Sequence, residues 1–397
     1  MTAQEPQLPV NPPTTNASKI TPPKFEDYRI PASPGYAIPP DRHIMSAPDL
    51  GGQSAILAEF DAAGRSDQFA IALQKVIRCR DNVVPALLER LETDDVALSK
   101  KAAIALGYLR SPLAIAPLIK ATEQPQRQIH WQAAAALSWI GSADAINALV
   151  KLLQNHPSIQ VQAAVAKALA RASLPAVSPL VEALKHSDAM VKVHAAHSLG
   201  QISSPLAITS LIEALNHSSK SVRFEAVWAL GQLKSPSSAN ALANMLTDND
   251  ISVQSQAVQS LKNIGVSAIS AVAKMLNTPS SHTRSVAART LGQIGIEEVV
   301  PLLAQVLRND EYAYVRCDAA LALGEIGSHD AVFYLSQSLK DGDRSVRSAV
   351  LRALAQTNSP EAQEILHNVR QTVSIPNYSV SNIKDFGEDS DFTTIQG

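Results

Sequence analysis

The chain has 397 residues, a formal net charge of -2, and 46% hydrophobic residues of which only a small share are rings, with aromatics at 4% of the total. Near-neutrality leaves no overall basic field to draw in nucleic acid or an anionic membrane surface. A core of Ala, Leu, Val and Ile suits thin, closely packed helices rather than a large sheet. The two cysteines, Cys79 and Cys317, are too few and too far apart for a disulfide framework or a paired-cysteine zinc site, which points to a reducing, cytoplasmic setting.

Met1 to Pro48 carries 11 of the 24 prolines, with pairs at Pro12-Pro13, Pro22-Pro23 and Pro39-Pro40. Such a run favours extended, solvated backbone, so residues 1–55 are expected to form a disordered arm. The start shows no charged segment followed by an apolar one, and no run approaches the ~20 apolar residues of a membrane helix. The expectation is a chain that is neither exported nor membrane-inserted.

From there the sequence becomes periodic. A motif of the form V-R-x-x-A-A-x-A-L-G recurs with its leucine at Leu106, Leu137, Leu169, Leu199, Leu230, Leu261, Leu291, Leu323 and Leu354, at spacings of 30 to 32 residues. Apolar residues fall at helical spacing on both sides of each marker leucine, so every unit reads as two helices. Ser-Pro at 111–112, 204–205, 235–236 and 359–360 predicts helix starts, a capping hydroxyl before a proline at the first helical position. Gly141, Gly265, Gly295 and Gly327 predict left-handed stops. Gly107, Gly200, Gly231, Gly292 and Gly324 follow a marker leucine, where a missing side chain lets the next helix approach closely.

One hairpin cannot bury its own apolar stripe, so stability must come from stacking neighbours. With a degenerate pair over Gln68 to Leu91, about ten hairpins are expected. The predicted architecture is all-α: a right-handed α-solenoid over residues 56–370, followed by a polar acidic tail at 371–397 bearing Lys384, Asp385, Glu388, Asp389 and Asp391.

Two units, Ser221-Val-Arg-Phe-Glu-Ala-Val-Trp-Ala-Leu-Gly-Gln-Leu-Lys-Ser-Pro and Tyr314-Val-Arg-Cys-Asp-Ala-Ala-Leu-Ala-Leu-Gly-Glu-Ile-Gly, resemble the short HEAT-like repeats of the phycobilisome lyase family. The resemblance covers Gln68 to Val369 and rests on packing letters. It implies either handling of an open-chain bilin as it is attached to or removed from antenna proteins, or plain scaffolding. Deoxyhypusine hydroxylase has similar repeats and uses His-Glu pairs to hold two irons. None of the ten histidines here is followed by Glu, which sets that activity aside.

In such a stack the marker helices are expected to line the concave side. Their non-packing positions are the two residues before the Ala-Ala pair, the one after it, and the one following Leu-Gly. This register selects Lys100, Lys101, Tyr108, Trp131, Gln132, Trp139, Lys167, Arg171, His194, His197, Phe224, Glu225, Trp228, Gln259, Asn263, Arg289, Cys317 and Asp318. All three tryptophans fall in the set. Aromatic anchors beside Arg and Lys suit a partner-binding groove, and the alternative is that the indoles cover seams between repeats.

His194 and His197 share a helix face, with Glu225 expected beside His194 and Trp228 beside His197 in the next unit. Helices ~10 Å apart leave a wide gap for metal bonds, so a polar groove lining is preferred and no metal site is expected. Cys317 reads as a tolerated small residue. Arg223, Arg284, Arg316 and Arg347, with acids such as Asp310 and Asp343 shortly before repeats, read as a ladder linking adjacent units. If the bilin role implied by the resemblance holds, Glu225 or Asp318 would accept from pyrrole N–H groups, and Lys167, Arg171 or Arg289 would pair with propionates.

No self-contained catalytic site and no required cofactor are visible. The expected function is an adaptor whose groove grips a partner protein, which the resemblance makes a phycobiliprotein subunit. The alternatives are a bilin lyase acting on a C–S bond, and an iron-sulfur assembly helper resting on Cys317 and the histidine pair.

Overall fold

A computed structural model describes residues 50–124 and 128–372. The arm up to residue 49 and the tail from residue 373 lie outside the described residues. The chain divides into two compact units between Cys79 and Arg80.

In the first unit, α1 (Leu50–Ala62) is followed by α2 (Ser66–Arg78). The Phe60 and Phe69 rings meet at 5.6 Å between centroids, and Lys75 pairs with Glu59 at 2.6 Å. Helix α1 begins inside the stretch expected to be arm. Pro48 is the last proline before it, and nothing after Pro48 bars a helix. The pair expected across Gln68 to Leu91 is likewise divided, its first half belonging to α2 and its second half opening the other unit.

The second unit runs through α3 (Val84–Glu92), α4 (Val96–Leu109), α5 (Ile115–Thr122), α6 (His130–Ile140), α7 (Ala143–Asn155) and α8 (Ile159–Ala172). It continues through α9 (Val177–Ala183), α10 (Ala189–Ile202), α11 (Ile208–Ala214), α12 (Lys220–Leu233), α13 (Ala239–Asn244) and α14 (Ile251–Ile264). Then follow α15 (Ile269–Met275), α16 (Ser281–Ile294), α17 (Val300–Asn309), α18 (Ala313–Ile326), α19 (His329–Gln337), α20 (Arg344–Thr357) and α21 (Pro360–Thr372). Each marker leucine sits on an even-numbered helix. Among the described residues, nine hairpins, α3 to α20, and the closing α21 therefore stand where about ten hairpins were expected.

Consecutive marker helices pack on one another and form one continuous layer, while the odd-numbered helices form the second. The core lies between them: Leu106, Leu137, Leu169, Leu199, Leu230, Leu261, Leu291, Leu323 and Leu354 are all fully buried, as are Leu118, Leu180, Leu211 and Leu242 opposite. The glycines make the marker layer tight. A Cβ on Gly107 would stand 2.7 Å from Ala136 Cα, and one on Gly292 or Gly324 would meet the next helix at 2.6 or 2.8 Å. Across two seams a hydroxyl joins the layers of backbone, Ser198 donating to the Ala166 carbonyl and Ser260 to the Val227 carbonyl, both at 2.9 Å. Flanking helices touch their neighbours far less.

At Ser359-Pro360 the signal acts as expected, α21 starting at Pro360 with Ser359 Oγ accepting the Ala362 amide at 3.1 Å, while the other three act one step earlier. Ser111, Ser204 and Ser235 precede short 3-10 turns at Pro112–Ala114, Pro205–Ala207 and Pro236–Ser238, and the α-helix follows each turn. Gly141, Gly295 and Gly327 end their helices at φ 65°, 73° and 64°. Where no glycine is available, Arg110, Ser203, Lys234 and Asn358 take the same left-handed position at φ 50° to 55°.

Candidate functional site

On each marker helix one stripe faces away from the flanking layer, and the residues on it repeat at helical spacing. In α12 these are Ser221, Phe224, Glu225, Trp228 and Gln232, all exposed or half-buried between the fully buried Val222, Ala226, Ala229 and Leu230. Stacked side by side, the nine stripes make one continuous face. The residues selected from the sequence occupy the corresponding register positions on their own marker helices.

The first three marker helices bring their residues together. The Tyr108 ring on α4 meets Trp139 on α6 at 4.9 Å, and the Lys167 ammonium on α8 lies 5.9 Å over the Trp131 ring. Trp139 also covers the seam, since its ring would stand 2.7 Å from a Cβ on Gly107. Arg171 is exposed at the end of α8.

The middle of the face holds a second group. His197 on α10 stacks on Trp228 of α12 at 4.7 Å with rings 10° apart. Its Nδ1 lies 3.1 Å from Glu225 Oε2, and its Nε2 lies 3.0 Å from Gln201 Nε2. An Nδ1–H tautomer donating to Glu225 and accepting from Gln201 satisfies both. The Glu225 carboxylate is thus bonded to His197 and not to His194, where the sequence placed it. His194 Nε2 is buried without a hydrogen-bond partner. Burial, then the neighbouring His197, pushes the His194 imidazole below its ordinary pKa.

Beside this group Met190, Val193 and Phe224 form the apolar floor of a cleft of about 300 Å³ between α10, α12 and α14. Lys220, Ser221, Glu225 and Ser252 rim it, and Lys220 pairs with Asp250 at 3.0 Å. Sequence reading found Phe224 and Glu225 but missed Met190, Val193, Ser221 and Ser252. Met190 and Ser221 lie one turn before His194 and Glu225 on the same stripe, so extending the register one turn toward each N-terminus would have found them.

The third group stands on α16 and α18. Asp318 accepts a hydrogen bond from the Ser285 hydroxyl, and Arg289 Nε lies 3.9 Å from its carboxylate. Burial pushes the Asp318 carboxyl up, against the opposing pull of Ser285, Arg289 and His282. Cys317 Sγ lies 3.6 Å from Ser345 Oγ, and burial raises its thiol pKa too, the opposite of what a reactive thiolate needs. His194 and His197 are on α10, four marker helices before Cys317. Among the described residues no three His, Cys, Asp or Glu side chains are grouped as metal ligands, and no helix is long and apolar enough to cross a membrane.

The tryptophans thus do both things weighed from the sequence. Trp139 and Trp228 each cover a seam glycine and keep a half-exposed surface on the face, while Trp131 sits under Lys167.

The repeat unit itself matches a known model, described as HEAT repeats, at residues 84–170, 146–221, 177–262, 208–289, 241–323 and 300–372. The chain belongs to the HEAT-repeat family. No curated protein matches the sequence. Among solved structures, importin beta is similar at 16% identity over 85% of this chain and 54% of its own, with a TM-score of 0.48. The complex of CpcE and CpcF of phycocyanin lyase from Nostoc sp. PCC7120 is similar at 22% identity over 57% of this chain and 94% of its own, TM-score 0.31. Human deoxyhypusine hydroxylase is similar at 21% identity over 72% and 97%, TM-score 0.27. These likenesses concern the fold of the HEAT array alone.

Proposed function

We propose that this HEAT array is a non-catalytic docking module whose marker-helix face holds a segment of a partner protein. One observation carries the reading: half-exposed rings, two of them also covering a seam glycine, and an apolar cleft lie on the same stripe of the marker helices, outside the core between the two layers. Phe224, Met190 and Val193 would take an apolar anchor side chain, and Tyr108, Trp139 and Trp131 would take a second contact toward the N-terminal end. Lys167 and Arg171 at that end suit carboxylates on the partner.

The partner class that the repeat motif suggests is a phycobiliprotein subunit. A bilin-handling role is the second reading, favoured by the ring and cation pairing of Trp131 with Lys167, which suits a flat conjugated ligand with carboxylate arms. In that role the acceptor cysteine belongs to the antenna protein, and this chain supplies the groove. Arg289 and Asp318 already engage each other, which leaves them less suited to propionates and pyrroles than Lys167 and Arg171.

The test is site-specific photo-crosslinking in cells of origin. A photoreactive residue at Val193 or Phe224 on the face, or at Leu206 on the loop edge, is followed by mass spectrometry. A protein crosslinked from the face and not from Leu206 supports docking, and colour on that product supports the bilin reading. Crosslinks arising equally from both surfaces refute the assignment of the face.

A further inference from the structure

Seven residues before the marker leucine, several marker helices carry a side chain that reaches back to the turn preceding the helix. Arg223 donates to the His217 carbonyl at 2.9 Å, Arg284 to Thr278 at 3.0 Å, Arg316 to Asp310 at 2.8 Å and Arg347 to Asp341 at 2.7 Å. Gln162 does the same to His156 at 2.9 Å and Gln254 to Asp248 at 2.6 Å. Except at Thr278, whose hydroxyl donates to the Met275 carbonyl, the residue whose carbonyl is taken has a second task. Its side chain accepts the amide two residues on and so closes the turn: Asp248 from Asp250, Asp310 from Tyr312 and Asp341 from Asp343, at 2.8 to 3.0 Å.

In three consecutive repeats this turn residue is histidine. His156 Nδ1 accepts from the Ser158 amide at 3.1 Å, His186 Nδ1 from Asp188 at 3.1 Å and His217 Nδ1 from Ser219 at 3.0 Å. The seams differ accordingly. Toward the C-terminus the turn aspartate is also clamped by the arginine of the preceding marker helix, Arg223 to Asp248 at 2.7 Å, Arg284 to Asp310 at 2.6 Å and Arg316 to Asp341 at 3.0 Å. Before the histidines the corresponding marker residues are His130, Gln162 and Lys192, and no carboxylate stands at the turn position.

An imidazole accepts an amide at Nδ1 only while that nitrogen is unprotonated, whereas a carboxylate keeps its acceptor down to its own much lower pKa. We propose that His156, His186 and His217 make the α6-to-α12 section of the array an acid-opened section: protonation removes the acceptor that closes each turn, and those seams loosen while the three aspartate-held seams, α12 to α14, α16 to α18 and α18 to α20, stay shut.

The surroundings add to the effect. Around His217 stand Lys192 on α10 and Arg223 on the α12 that follows its turn, both cationic. Beside His156 stands His130 on α6, buried, with neither ring nitrogen hydrogen-bonded and with Lys100 of α4 nearby. The charged neighbours of His186 in its own turn are Lys185, which pairs with Glu182 at 2.8 Å, and Asp188, whose amide it holds and whose carboxylate caps α10 through the Met190 amide. Burial first, then Lys192 and Arg223, lowers the His217 pKa, and burial first, then Lys100 and His156, lowers that of His130. Both therefore take up protons more readily in the unfolded chain. Their stabilising contribution is complete above the ordinary histidine pKa of about 6.5 and is lost as pH falls below it. This section carries Trp131, Trp139, Lys167, His194 and His197, so a consequence for partner binding rests on the docking reading, while the opening itself does not.

The test is amide hydrogen exchange on the full chain at about pH 7.5 and about pH 5.5, corrected for the intrinsic pH dependence of exchange, with about tenfold as the natural unit of change for one pH unit below a histidine pKa. Protection at Ser158, Asp188 and Ser219 is expected to fall, by up to about tenfold at each, and that at Asp250, Tyr312 and Asp343 to hold. Equal changes in both sets, or none in the first, would overturn the proposal. A second arm uses the triple variant His156→Asp, His186→Asp and His217→Asp, which copies the turn residue of the C-terminal repeats, and the matching triple Asn variant should the first not fold. Either must lose the pH response. A variant that still opens over the same pH range shows that the imidazoles are not its cause.

Discussion

Trp228 lies across the seam onto Gly200, its ring atom Cζ3 2.6 Å from where a Cβ on residue 200 would stand, with Ala229 Cα at 2.8 Å from the same point. The indole fits because the glycine is bare, and the backbone of Ala229 leaves the added methyl nowhere to go. Gly200→Ala gains helix propensity of about 1 kcal/mol and loses more, since overpacking a tight contact costs about 1–3 kcal/mol. A lower urea midpoint, together with a shifted Trp228 emission, is the expected result. Gly52, which has open space around it, is the control.

The arginine ladder gives a graded series. Arg284 binds Asp310 through Nε at 2.6 Å and Nη2 at 3.0 Å while Nη1 holds the Thr278 and Pro279 carbonyls, and both side chains of the pair are largely buried. Removing one partner of such a pair leaves the other charge uncompensated, so Arg284→Ala is expected to cost about 3 kcal/mol. Arg284→Gln retains the bond to the turn carbonyl that Gln254 and Gln162 make in their own repeats, and its loss is smaller. Denaturation of the two variants side by side checks the order.

Asp318 provides a pH-dependent prediction of the opposite sign to the histidines. Its folded pKa is raised, by burial first, so its ionisation above the ordinary carboxylate range works against folding, and stability falls as pH rises through the raised value. Asp318→Asn keeps an acceptor for the Ser285 hydroxyl and removes the buried charge. The variant is expected to be more stable than the parent at neutral pH and to converge with it well below the ordinary aspartate pKa of about 3.9, where both are uncharged. Thermal melts across that range read the difference.

Arg110, Ser203 and Lys234 occupy left-handed positions that cost an L side chain about 1–2 kcal/mol relative to glycine. Each single change to Gly, the residue that Gly141, Gly295 and Gly327 already supply in equivalent places, is expected to stabilise by about 0.5–1 kcal/mol after its unfolded-state entropy is counted. Melting temperatures of the three variants test this.

These same positions show why part of the fold was legible and part was not. The marker leucines fix the hairpins because burial at helical spacing writes a pattern, and the glycines after them announce close approach because only a missing side chain allows it. Arg110, Ser203 and Lys234 carry no such mark: a left-handed stop can be filled by almost any residue that the surrounding packing holds in place. The cleft was half visible for a similar reason. Phe224 and Glu225 stand next to the repeated Ala-Ala pair and are found by register, whereas Met190 and Ser252 sit at helix starts, before the repeated letters begin. The His197 to Glu225 bond depends on how far adjacent helices are offset, and spacing within one helix says nothing about that offset.

The docking face is tested most directly by affinity. With the partner captured by crosslinking in hand, calorimetric titration compares the parent chain with Phe224→Ala and Met190→Ala on the cleft floor and with Leu206→Ala, 75% exposed at the loop edge. Truncating a central anchor costs upward of about 1.4 kcal/mol, or roughly tenfold in Kd, so the first two variants should weaken binding by that factor or more with unchanged folding, and the third should bind like the parent. Parent-like affinity in both cleft variants, or a loss confined to Leu206→Ala, would contradict the assignment.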